Sequence, residues 1–259
     1  MSRSRPQPIP AKGPVALVTG AGRRIGNGVA RELAARGYRV VLHANNSFAA
    51  ARQTADELTA AGGEAIAVAA DLRDPAATRA MIAQARDHFG SLDALVNSAA
   101  VWKASPLEQV AVDGLREHFE TNTLGTFFCC QQAGLIMVAQ SEGGAIVNVG
   151  DWAISRPYRD YAAYFATKGS IPTLTRTFAV ELGSRNPRVR VNAVLPGPVL
   201  LPEEMQPAER QRVIEATLAK REGTVAELAA AIVFLLENRF VTGVCLPVDG
   251  GRSVFAPPT

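Results

Sequence analysis

Cysteine, histidine and long apolar runs are scarce in this sequence of 259 residues, and each scarcity excludes something. Cys129, Cys130 and Cys245 supply neither a disulfide framework nor a metal-ligand spacing. His43, His88 and His118 are scattered, with no H-x-x-x-H pair, so structural roles are expected for all three and no metal site. No apolar run reaches the roughly 18 residues that span a bilayer, so no membrane partner is expected. Neither sign of charge dominates. Lys plus Arg is 27 and Asp plus Glu is 24, and the net +3 is spread along the chain, which argues against a nucleic-acid partner. The opening Met1 to Pro8 lacks the apolar core of a secretory signal and reads as a disordered lead-in over residues 1–12. Unpaired thiols behind such a lead-in fit a reducing cytoplasm.

What remains is ordinary globular material, 47% apolar and 20% charged, long enough for one α/β domain over residues 13–259. The run Pro14–Val18 predicts a strand that ends in Thr19-Gly20-Ala21-Gly22-Arg23-Arg24-Ile25-Gly26. Ile25, Val29, Leu33 and Ala34 then recur at helical spacing as far as Gly37, and Arg39–His43 predicts a second strand. The alternation continues: helix 48–61, strand 64–70, helix 75–89, strand 94–97, a long helix 115–140 and strand 145–149. A helix carrying Tyr164 runs to about Leu182, and strand 189–195 ends at Pro196-Gly197. A polar, proline-bearing excursion over 200–220 precedes helix 225–236 and strand 244–248. Repeated βα units with nearly continuous apolar strands predict a doubly wound parallel sheet, and such sheets bind ligands beyond the carboxyl ends of their strands.

Gly20, Gly22 and Gly26, between a strand and a helix, are in the right context for a dinucleotide's phosphates. Tyr164 and Lys168 are four apart, so a helix stacks them on one face. An ammonium beside a phenol is expected to lower a pKa that starts near ~10, which suits a tyrosine to proton transfer. Asp151 stands thirteen residues before Tyr164, as a turn cap or as an active-site acid.

The motif Thr19-Gly20-x-x-x-Arg24-x-Gly26 resembles the glycine loop of the short-chain dehydrogenase/reductase family. The resemblance extends over almost the whole chain, through Asn97-Ser98-Ala99-Ala100, Asn122, Tyr164 with Lys168, and Pro196-Gly197. It implies a Rossmann fold, a nicotinamide cofactor and reversible hydride transfer. Tyr164 would donate the proton, Lys168 would also bond the nicotinamide ribose, Asn122 would hold a relay water, and Asp71 with Leu72 would meet the adenine. Two departures are similar to the pteridine reductases and the bacterial dihydromonapterin reductases: Arg24 within the loop, and Asp151 where a serine is usual. In that resemblance Arg24 reaches the pyrophosphate or the pterin, Trp102 sandwiches the pterin, and Asp151 bonds a ring nitrogen. A carbonyl reductase for a ketone or 3-oxoacyl substrate is the alternative, and a catalytically silent cofactor-binding regulator a more distant one.

The stretch His43-Ala44-Asn45-Asn46-Ser47 places no carboxylate after the second strand. With Arg23 nearby, NADPH/NADP+ is the expected cofactor rather than NADH. The family resemblance also implies a homotetramer formed through the two long helices, where Phe127, Phe128, Ile136, Phe165, Leu174 and Phe178 are apolar enough to supply the faces.

Overall fold

The computed structural model describes residues 13–255, and the expected lead-in over 1–12 lies outside the described residues. Seven strands form one parallel sheet: β1 (Val15–Thr19), β2 (Arg39–Ala44), β3 (Ala65–Ala69), β4 (Ala94–Asn97), β5 (Gly144–Val149), β6 (Val189–Pro196) and β7 (Cys245–Val248). Their order is β3-β2-β1-β4-β5-β6-β7, and every pairing is parallel. The order reverses between β1 and β4, which makes their carboxyl ends the switch point where such sheets take ligands.

Alternate side chains of each strand feed two cores, as the two-residue period of a strand requires. On one face Ala16, Val18, Val40 and Val147 pack under α1 (Arg24–Ala35) and α9 (Val225–Glu237), through Val29, Leu33, Leu228 and Ile232. On the other, Leu17, Leu95 and Ile146 pack under α3 (Pro75–Phe89), α5 (Thr126–Ala139) and α7 (Ile171–Gly183), through Ile82, Met137 and Phe178. Each fully buried Leu or Ile stabilises the fold by about 1.5–3 kcal/mol relative to exposure. That large two-sided core holds the strand ends, and hence the site, in place.

Helix boundaries follow local chemistry. Asp74 caps α3 through the Ala76 and Ala77 amides, Pro75 occupies the first turn, and left-handed Gly90 ends it. Thr224 and Glu227 form a reciprocal capping box on α9. A helix α2 (Phe48–Ala60) joins β2 to β3.

Three expectations need correction. The helix expected over 115–140 is three segments: α4 (Val112–His118), a wide π-helical stretch Phe119–Gly125, and α5. The helix expected from Tyr164 to Leu182 is α6 (Ala162–Lys168) and α7. Pro172 has no N–H to offer the Lys168 carbonyl, and the Ser170 hydroxyl donates to the Thr167 carbonyl instead (2.6 Å), so the chain resets between them. The excursion over 200–220 contains a helix, α8 (Pro207–Glu215), none of whose side chains is buried. Among the apolar residues assigned to assembly, Phe165 and Phe178 are buried in the protein itself. Over the stretches 115–140 and 161–182, Phe119, Leu124, Leu135 and Val180 are the exposed large apolar residues.

Candidate active site

The glycine loop leaves β1 at Thr19, whose hydroxyl accepts from the Ser98 and Ala99 amides (3.0 and 3.1 Å) and so ties the loop to the end of β4. Gly20 is left-handed, with φ 68°, and a Cβ there would stand 2.7 Å from the Ala99 Cα. A Cβ on Gly26 would stand 2.4 Å from the Gly20 carbonyl oxygen. Only glycine fits either place, which leaves a turn of bare backbone running into the N-terminus of α1. Anionic phosphates favour such a terminus, so the fold and the residues present fit a dinucleotide. Behind the loop, His43 is buried. Its Nδ1 accepts from the Gly20 amide (3.4 Å) and its Nε2 donates to the Ala70 carbonyl (3.0 Å). Burial holds this imidazole below its usual pKa, so the neutral tautomer that both bonds require is the favoured one.

Beyond β2, Asn46 is exposed and Ser47 half-buried, with the exposed Arg23 among the loop residues. No carboxylate occurs from Ala44 to Ser47. Asp71, past β3, is paired with Arg73, which holds its carboxyl below the usual range, while Leu72 is buried beside it.

At the end of β5, Asp151 does two things at once. Its Oδ1 accepts from the Ala153 amide (2.8 Å) and caps the short 3-10 turn Trp152–Ser155. Its Oδ2 accepts from the Tyr164 hydroxyl, also at 2.8 Å. The turn-cap expectation is met, and the same carboxylate is joined to the Tyr164 hydroxyl. Burial raises the Asp151 carboxyl above its usual pKa, opposed by the Ala153 and Tyr164 hydrogen bonds and by the Lys168 charge.

Lys168 is fully enclosed. Its Nζ donates to the Val149 carbonyl (2.7 Å) and lies 6.0 Å from the Tyr164 ring centre. Burial pushes this ammonium down to about 8, with Asp151 opposing. The expected lowering of the Tyr164 pKa is corrected here. Burial first, then the Asp151 charge and its hydrogen bond, push the phenol above its ordinary value. Lys168 directs its Nζ to a backbone carbonyl, and Tyr164 keeps its proton at neutral pH.

Asn122 lies in the π-helical stretch, where its side chain clamps the neighbouring strand end. Its Oδ1 accepts from the Val101 amide (2.7 Å) and its Nδ2 donates to the Val101 carbonyl and to the Thr167 hydroxyl, both at 3.0 Å. Both Nδ2 hydrogens and one acceptor position of Oδ1 thus join Val101 to α6. At the end of β4, the Asn97 amide donates to Asn148 Oδ1 (2.9 Å), whose own amide donates to Thr175, a buried polar chain beneath the site. Pro196 and Gly197 close the far side, where a Cβ on Gly197 would stand 2.4 Å from the Asp249 Cα.

The mouth is aromatic. Trp102 is 43% exposed and stacks on Tyr161, with ring centres 5.2 Å apart and planes 18° apart. Tyr158 meets Tyr161 and Phe165 edge-on. Arg24 is left-handed (φ 52°), and its guanidinium donates to the carbonyl of Leu200, itself left-handed (φ 54°) at the start of the 200–220 excursion. Tyr158 and Tyr161 were not anticipated as site residues. The dense aromatic run Arg156-Pro157-Tyr158-Arg159-Asp160-Tyr161 was the available signal. Among the described residues, no cluster of His, Cys, Asp or Glu could hold a metal ion, and no helix is long and apolar enough to cross a membrane.

Comparison with known proteins adds a lineage to this geometry. The sequence pattern of the family described as enoyl-(acyl carrier protein) reductase matches residues 20–253. A protein of Aspergillus oryzae described as a short chain dehydrogenase/reductase is 33% identical over 96% of this chain and 98% of its own. A 3-oxoacyl-[acyl-carrier-protein] reductase of Staphylococcus aureus is 33% identical over 91% of this chain and 96% of its own. A crystal structure from Sinorhizobium meliloti 1021, provisionally described as a short-chain alcohol dehydrogenase, superposes with a TM-score of 0.88. It is 32% identical and covers 95% of this chain and 98% of its own.

Proposed function

The chain belongs to the short-chain dehydrogenase/reductase family of oxidoreductases, and from that premise we propose that it is an NADPH-dependent reductase of a C=N bond in a pterin-like ring. The observation that carries this reading is the bond between the Tyr164 hydroxyl and the Asp151 carboxylate. When bound, NADPH supplies the hydride. The protein supplies position, protons and charge.

Gly20, Gly22, Ile25 and Gly26 would hold the pyrophosphate against the N-terminus of α1, with Arg23 and Arg24 at hand. Asn46 and Ser47 would face the adenosine ribose without repelling a 2′-phosphate, while Asp71 and Leu72 would border the adenine. Ser98, Ala99, Pro196 and Gly197 would border the rest of the dinucleotide. Tyr164, kept protonated by its surroundings, donates to the substrate, and the Lys168 ammonium steadies the phenolate that this leaves. Trp102, held face-on by Tyr161, offers a planar apolar surface for a ring.

Asp151 sets the substrate. A ketone gains negative charge on oxygen as it is reduced, and an ionised carboxylate there would repel it. A C=N carbon that accepts hydride leaves a nitrogen in need of a proton, and a carboxylate steadies positive charge on that nitrogen or relays the proton.

A carbonyl reductase is the second reading. The relative from Staphylococcus aureus favours it, and so does the raised pKa of Asp151, since a protonated carboxyl can donate to a ketone oxygen. The test is NADPH oxidation on dihydropterins and on a panel of ketones, by the wild type and by Asp151→Ser. The expected result is pterin activity lowered in the variant, with ketone activity unchanged or improved. Ketone activity lost with pterin activity retained would establish the carbonyl reductase instead.

A further inference from the structure

The C-terminal segment Gly251–Phe255 gathers three cations, none of which has a carboxylate partner among the described residues. Arg252 lays its guanidinium over the Trp152 ring, 5.0 Å from its centre, and its Nη1 donates to the Ala216 carbonyl (3.0 Å). Its Nε is shielded and has no acceptor. Arg156, on the other side, donates through Nη1 to the carbonyls of Arg252 (3.3 Å) and Phe255 (2.8 Å). Lys220 sits 4.4 Å from the centre of the Phe255 ring and donates to the Glu215 carbonyl.

Burial first, and then the charge of Arg156, lower the Arg252 pKa. Backbone carbonyls orient both guanidiniums but bring no counter-charge. A buried charged donor with no acceptor is costly to leave so. Their place in the fold is specific. Trp152 directly follows Asp151 and packs against the cluster of Ala153, Tyr164 and Phe165, so Arg252 is one ring away from the reacting tyrosine. The Asp151 carboxylate is already taken by Tyr164 and Ala153 and does not serve either arginine.

We propose that Arg156 and Arg252 form an anion subsite that receives a carboxylate or phosphate carried by the substrate, remote from the atom reduced; this rests on the reductase reading of the Tyr164 site. A guanidinium suits either anion, because its planar donors match both. The site would then select substrates that pair a reducible planar ring with an anionic tail.

Calorimetric titration of the whole protein with isophthalate and with phenyl phosphate, beside neutral dimethyl isophthalate, tests the subsite. None of the three is a hydride acceptor here. An absence of turnover on dihydropterins and ketones would therefore count against the reductase reading alone. The acids are expected to bind about tenfold tighter than the ester at low salt, and Arg252→Gln and Arg156→Gln each to lose about tenfold of that affinity. Arg252→Lys, which keeps the charge and loses the planar fork, is expected to fall between. If Arg252→Gln does not fold, Arg156→Gln, an exposed position, carries the test. Binding of only one acid identifies the preferred anion. Equal affinity for acids and ester, or acid affinity unchanged by the glutamine variants, overturns the subsite.

Discussion

Tyr164 shows how little of a residue's chemistry its spacing from another residue decides. The interval to Lys168 places both on α6, but burial and Asp151 outweigh the ammonium and keep the phenol protonated. On the proposed reading that hydroxyl is the proton donor, and removing it should be costly. Tyr164→Phe is expected to keep NADPH affinity and lose about 10²–10⁴-fold in turnover, the range of general acid–base catalysis. Stopped-flow oxidation of NADPH beside a binding titration separates the two. Lys168 sets the alkaline limit. Its ammonium is complete below its pKa of about 8 and is lost as pH rises through it, so kcat should fall through that region. A profile flat from pH 7 to 10 would show that the charge is not used.

Asp151 carries the opposite sign. Its pKa is raised in the folded state, so the folded protein holds the proton over a range above 3.8 where the unfolded chain has released it. Stability therefore falls as pH climbs through that range, and the cost of the buried carboxylate is fully present above the folded pKa. An asparagine can still cap Ala153 through its Oδ1, while its Nδ2 would donate to the Tyr164 hydroxyl oxygen. Asp151→Asn is thus expected to raise the melting temperature at pH 7, with the gain shrinking as pH approaches 4. Calorimetry at the two pH values reads the difference.

At the scale of elements, the seven strands were legible because each is a short apolar run ended by glycine, proline or a polar residue. Their boundaries moved by about a residue. The α8 segment escaped because Pro207–Glu215 buries nothing, and a helix with no apolar face leaves no period to read. The break between α6 and α7 was hidden because apolar residues continue across it, and only Pro172 marks the place. Tyr158 and Tyr161 had only the dense aromatic run 156–161 to mark them, while Arg252 meets Trp152 across 100 positions, a contact that no local pattern encodes. The end of β2 makes its own prediction. With Asn45, Asn46 and Ser47 there and no carboxylate, kcat/KM for NADPH should exceed that for NADH by at least about tenfold, the worth of one bond to a charged group. Equal values would count against the assignment of that end.

For the whole molecule, the family resemblance points to assembly through the stretches 115–140 and 161–182, which expose Phe119, Leu124, Leu135 and Val180. A homotetramer is the expected state. Light scattering at micromolar concentration would refute it by returning a monomer mass.

The bond from the Ser98 amide to Thr19 joins residues 79 apart in sequence, and that from Asn122 to Thr167 joins residues 45 apart. Arg24 reaches Leu200 across 176 positions. No fragment of the chain therefore contains a rudimentary version of the site. Such distant pairings close late, because the entropy of a long loop must be overcome before its contacts form. A nascent chain emerging from synthesis gains its chemistry only when β4 has docked beside β1, and β5 and β6 beyond it. Function here is the last property the polypeptide acquires, and heating should remove it together with the sheet.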